Sequence, residues 1–151
     1  MKTNLLLIAA LLALAGCASS NVSQVAPGVV QAYPGPARER KDVAILKGSY
    51  WMGTRTQFSS YADLARGGEL QFEKLRGFGG DYPQEMHLLP GRYLIMTRCG
   101  TNTHFGFPGI QLDLRAGATY EINCEPGTGA SGQVTGKAFI SQQYPTDYDK
   151  R

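Results

Sequence analysis

The sequence predicts an all-β fold: a small β-sandwich of about seven strands, with one candidate short helix. Three observations carry this reading. Gly occurs 19 times and Pro 8 times in 151 residues, a composition of many turns and few long helices. Apolar residues come in short runs, several of which alternate with period two. Turn-forming residues separate these runs at short intervals. The length allows one domain with tails and a real core. A net charge of +3 with no dense Lys/Arg stripe argues against nucleic acid as a partner.

The N-terminus is a targeting segment rather than part of the fold. In "MKTNLLLIAALLALAGC", Lys2 supplies a positive start and Leu5 to Leu14 form an unbroken apolar run. Ten apolar residues are too few to span a bilayer, which takes about twenty. Residues 1–16 therefore read as a cleaved secretory signal peptide. The four residues Leu14-Ala15-Gly16-Cys17 resemble the lipobox of bacterial lipoproteins. That resemblance implies cleavage between Gly16 and Cys17. It also implies a thioether-linked diacylglycerol on Cys17 and palmitate-type acylation of its new amine. The membrane then becomes a partner through lipidated Cys17, since two or three chains hold firmly where one does not. Ala18 stands where Asp would favour inner-membrane retention, so the resemblance implies an outer-membrane lipoprotein facing the periplasm.

Residues 17–40 are rich in Ser, Pro and Gly, and Pro27, Pro34 and Pro36 interrupt any helix or ladder. They read as the lipidated cysteine and a flexible tether. Strand signals begin at about residue 41. "DVAILKG" is a compact apolar strand, and "SYWMGTRTQF" is aromatic and Thr-rich, with Gly53 as a bend. "SSYADLARG", residues 59–67, is the helix candidate, with Ser60 as a cap and Gly67 as a stop. "ELQFEKLRG" places Leu70, Phe72 and Lys74 on one side. "EMHLLPGRYLIMTRC" holds two strands around a Pro90-Gly91 turn. "GIQLDLRAG" alternates through Ile110, Leu112 and Leu114, and "ATYEINCEP" puts Tyr120, Ile122 and Cys124 together. "GQVTGKAFIS" supplies a last strand. The sandwich domain is thus expected over 41–141, with a polar tail over 142–151.

Two pieces of the second half resemble small immunoglobulin-like or transthyretin-like modules of the PEGA type. Leu89, Pro90, Gly91 and Tyr93 match their hairpin corner, and Leu114, Ala116, Gly117 and Tyr120 match a later strand–turn–strand unit. The upstream "YPGPARERKDVAIL" is similar to the start of many small bacterial lipoproteins. The resemblance implies a binding or scaffolding role and no shared catalytic residues.

Export would place Cys99 and Cys124 in an oxidising compartment. Both end strands and share parity with apolar neighbours, so a disulfide between them is expected. Loop closure would make it worth roughly 3 kcal/mol. A metal or redox pair is the alternative, but only His87 and His104 are present and no C-x-x-C occurs. No metal or other cofactor is expected. Neither histidine carries a nucleophile motif, Asp81 and Glu85 form a weak carboxylate pair, and "GFGG" lacks the Lys-Ser/Thr of a phosphate loop. No catalytic residue is assigned.

Aromatic residues are the binding candidates. Tyr50 and Trp51 are adjacent on a strand and so point to opposite faces, with Trp51, the single Trp, expected in the core. Phe78, Tyr82, Phe105 and Phe107 lie in Gly-rich loops. Such loops either form a recognition surface or tuck rings over the core edge. The sequence therefore predicts a lipid-anchored, non-enzymatic interaction or accessory domain, with another envelope protein as its partner. The alternative is a cell-wall carbohydrate-binding module or envelope enzyme that uses the aromatic loops.

Overall fold

The computed structural model describes residues 22–67, 70–75, 81–101, 104–128 and 134–145. Cys17, Gly16 and Phe78 lie outside them, as does the whole signal segment. Twelve strands appear in chain order: β1 Ser23–Ala26, β2 Val29–Gln31, β3 Ala44–Gly48, β4 Tyr50–Trp51, β5 Thr54–Asp63, β6 Glu73–Lys74, β7 Glu85–Leu88, β8 Gly91–Gly100, β9 Phe105–Gly106, β10 Gly109–Leu114, β11 Ala118–Thr128 and β12 Val134–Pro145. They form two sheets packed face to face, a small all-β sandwich. The first runs β1-β2-β7-β3-β11-β12; the second runs β10-β8-β5-β4, with β6 on β5 and β9 on β8.

The core lies between the sheets and follows the period-two pattern. Leu46, Met86 and Ile122 from the first sheet and Phe58, Ile95 and Leu112 from the second are buried together. Cys99 of β8 and Cys124 of β11 are both fully buried and joined by a disulfide, with Cα atoms 5.7 Å apart. The bond is therefore a staple between the two sheets. Beside it the Thr97 hydroxyl lies 3.2 Å from Cys99 Sγ and donates to the Pro108 carbonyl at 3.0 Å.

The corner residues of the second half have visible jobs. Gly117 adopts φ +67 in the turn between β10 and β11. The Tyr120 hydroxyl accepts from the Arg115 amide at 2.9 Å, tying that turn to the following strand.

Four expectations are corrected. The stretch read as tether is largely folded: β1 and β2 join the first sheet through a parallel pairing of β2 with β7. Pro27 and Gly28 (φ +75) form the connecting turn, so the proline that interrupts a ladder here builds a hairpin. Beyond β2, Tyr33, Val43 and Ile45 form a second buried cluster with Leu89 packed on it. The Gln31 side-chain amide donates to the carbonyls of Tyr33 (3.0 Å) and Gly35 (2.7 Å).

The helix over 59–67 is also corrected. β5 continues to Asp63, and only Leu64–Arg66 form a single 3-10 turn. Asp63, not Ser60, caps it, accepting from the Ala65 amide at 2.9 Å. Of the strand read over 69–77, residues 70–75 are described, and within them only Glu73–Lys74 pair, leaving Leu70 and Phe72 exposed and Leu75 buried. The last strand runs on to Pro145, so residues 142–145 belong to the sheet rather than to a tail.

Candidate functional site

The two ends of the sandwich differ. Strands β3, β5 and β8 carry the chain between them, and one end gathers the aromatic side chains. There Gly48 marks a close approach between the sheets: a Cβ at this position would lie 2.2 Å from the Thr56 carbonyl oxygen. Beyond it the chain turns into the β4–β5 hairpin.

Trp51 pairs with Thr54 across a two-residue loop of Met52 and Gly53. Both loop residues have positive φ, +46 and +81, as a type I′ turn requires. Asn or Gly normally fills such a position; Met52 instead holds it with its side chain 76% exposed. A non-glycine residue in this region stores strain, and strain of this kind clusters at functional sites.

Pairing then carries the site across the second sheet. Tyr50 pairs with Arg55, Arg55 with Gly100 and Gly100 with Phe105. Directly paired residues share a face, so Tyr50, Arg55 and Phe105 stand on one outer surface. Three strand spacings separate Tyr50 from Phe105, about 14 Å. Gly100 leaves the gap that Phe105 fills: a Cβ there would come within 2.5 Å of the Phe105 Cβ.

The neighbouring row holds Gln57, paired with Arg98. Arg98 donates to the Gln57 side-chain oxygen at 2.9 Å, and the Gln57 amide donates to the Tyr82 carbonyl at 2.9 Å. The guanidinium lies 4.6 Å from the Phe105 ring centre and 5.7 Å from that of Tyr82. Phe107 meets Tyr82 at 6.2 Å and Phe105 at 5.6 Å, both edge-on. A cation stacked on two rings and held by an amide is a rigid arrangement. The two roles foreseen for the loop rings thus merge. They cover Arg98 and Gln57, yet Phe105 and Phe107 stay 52% and 44% exposed.

Of the six aromatic candidates, the structure brings Tyr82, Phe105 and Phe107 into one cluster and places Tyr50 on the same face. Trp51 is corrected. It is 49% exposed rather than core, because β4 is two residues long at the rim and, among the described residues, no strand lies beyond it. Arg98, Arg55 and Met52 belong to the site and were not foreseen. The only available signal was Met-Gly in a hairpin position.

A cleft of about 280 Å³ lies at the opposite end, lined by Tyr61, Asp63, Arg66, Gly67, Gln71 and Glu73. Three of its polar groups have partners within the fold. Asp63 caps the 3-10 turn and pairs with Arg66 at 3.5 Å. The Tyr61 hydroxyl donates to the Ala32 carbonyl at 3.0 Å. Burial, helped by the nearby Glu73 carboxylate, pushes its pKa up to about 12, so it stays protonated at neutral pH. Burial also raises Tyr93, whose ring packs edge-on against Tyr61 at 6.1 Å.

His87 lies elsewhere, 2.6 Å from Glu85 on β7, and that hydrogen bond holds the Glu85 carboxyl below its usual range. Glu85 is therefore committed to His87 rather than to a pair with Asp81. Among the described residues no three His, Cys, Asp or Glu side chains converge as a metal site. Comparison with protein-family models, curated proteins and solved structures finds no match, so the aromatic end stands on its own geometry.

Proposed function

We propose that this chain is a lipid-anchored protein of the bacterial envelope whose sandwich is a non-enzymatic interaction domain. It sits on the periplasmic side of the outer membrane and engages another envelope protein. The lipobox-like Leu14-Ala15-Gly16-Cys17 supports the location. The observation that carries the interaction role is the exposed aromatic end: Tyr50 and Met52 on a strained hairpin, beside the Arg98-centred cluster. Exposed aromatics around a fixed Arg are the composition of protein-binding hot spots. The loop rings cross at 64° and 78°, which leaves no flat platform for a sugar ring and favours a protein partner.

The test is a photoreactive amino acid placed at Met52 in cells, with Asp113 as the control position. The reading expects one discrete crosslinked product from Met52 and none from Asp113. Equal crosslinking at both positions, or none at either, would contradict it.

A further inference from the structure

We infer that the end of the sandwich opposite the aromatic site lies against anionic lipid headgroups. This rests on the lipid anchor proposed above. The first support is chain length. β1 begins at Ser23, and Val22 already packs against the core. Only Ala18 to Asn21 separate Cys17 from Val22. Five residue steps reach at most about 18 Å when fully extended.

The second support is direction. Ser23 pairs with Gln31, Gln31 with His87 and His87 with Ile45. That row is next to the one where Ala44 pairs with Leu88, and it lies away from Gly48 and the β4 hairpin. β5 and β8 are each 10 residues long and join the two ends. Strands of that length span about 33 Å. The linker therefore cannot carry Cys17 to the aromatic tip, and the end near Val22 is held close to the bilayer.

The third support is charge. Among the described residues this end carries Arg38, Arg40, Lys41, Arg66, Arg92 and Arg115. It also carries five acids, Glu39, Asp42, Asp63, Glu73 and Asp113. Lys41, Arg66 and Arg92 are paired within this set, with Glu39 at 2.7 Å, Asp63 at 3.5 Å and Asp113 at 3.1 Å. Arg38 lies over the Tyr33 ring at 5.9 Å with its side chain exposed. Arg115 is exposed with no ion pair among the described residues. Arg40 also acts on Glu85, whose carboxyl it helps to hold down. Six cations against five acids leave one positive charge in surplus among the described residues. A basic side chain near an anionic surface contributes about 1 kcal/mol, provided that it lies within a Debye length of roughly 8 Å. A linker that reaches at most about 18 Å lets this end approach to that distance, and the charge then decides whether it does.

The single Trp makes orientation measurable, because Trp51 sits at the far end. The lipidated full chain is reconstituted in phosphatidylcholine vesicles with and without phosphatidylglycerol, carrying headgroup-level spin-labelled lipids as quenchers. A second protein combines Trp51→Phe with Ala116→Trp, since Ala116 is exposed in the turn beside Arg115. Flotation of both proteins with the vesicles reports the anchor. Quenching reports which end faces lipid. The expected result is strong quenching at position 116 and little at Trp51.

Adding Arg38→Glu and Arg115→Glu to the second protein should lower the apposed-to-detached ratio by about 30-fold or more. Quenching at 116 should then fall to the level seen with phosphatidylcholine alone. Stronger quenching of Trp51 than of position 116, with flotation intact, overturns the orientation and leaves the anchor standing. Quenching at 116 that ignores both charge reversals and lipid charge overturns the headgroup contact. Failure to float removes the anchor and the inference with it.

Discussion

Replacing Cys99 and Cys124 together by Ala tests the staple between the sheets. The bond closes a loop with a sequence separation of 25. The chain-entropy relation gives about 3.5 kcal/mol for a loop of that size. Melting entropy is about 2.1 cal/mol/K per residue, so a domain of about 120 residues should melt roughly 13 °C lower. Two buried sulfur atoms are also lost, which adds to the drop rather than offsetting it. Far-UV circular dichroism on heating is the assay, with unalkylated wild type held reduced by excess phosphine as the second arm. Both should melt within a few degrees of one another. A shift below about 4 °C would mean that less than roughly 1 kcal/mol depends on the bond. That result, or two free thiols in the wild type recovered from cells, would refute the reasoning.

Three further predictions come from single sites. Tyr61 has its pKa raised from 10.0 to about 12 by burial, so the folded state holds its proton more tightly than the unfolded state. Its contribution is fully present below pH 10 and is lost as pH rises through about 12, a loss of about 2–3 kcal/mol. Denaturant midpoints across that window should fall accordingly, and Tyr61→Phe should flatten the slope. Met52→Asn relieves the positive-φ strain and should raise stability by about 0.5–1 kcal/mol while weakening crosslinking from the neighbouring Tyr50 position. A loss of stability would contradict the hairpin assignment. Thr56 is fully buried with an unpartnered hydroxyl, so Thr56→Val should stabilise by about 1 kcal/mol in chemical denaturation. Destabilisation would show that the hydroxyl has a partner.

The all-β class was legible because it rests on local alternation. β10 and the first half of β11 keep strict period two, and their inward residues were named from the sequence alone. So was the cysteine pair, whose parity follows from the same pattern. The tether was misread because β1 and β2 are only four and three residues long. Such strands carry no periodicity of their own, and β2 is stabilised by pairing with β7, more than fifty residues later.

The helix expectation rested on local end signals, Ser60 as a cap and Gly67 as a stop. Pairing of β5 with β8 as far as Asp63 overrides them, and a register shift between Phe58 and Ser60 interrupts the alternation that would have marked the strand. Trp51 was misplaced because the argument came from composition, whereas exposure depends on its position at the rim. The aromatic loops were visible in the sequence as candidates. Their assembly around Arg98 was not, since it depends on the register of β5, β8 and β9.

The most direct test of the account is the intact mass and N-terminal composition of the mature protein purified from the envelope. The account predicts a chain that begins at Cys17 and carries a diacylglyceryl thioether and an acylated amine. A chain that begins elsewhere, or one with Cys17 as an unmodified thiol, would contradict it.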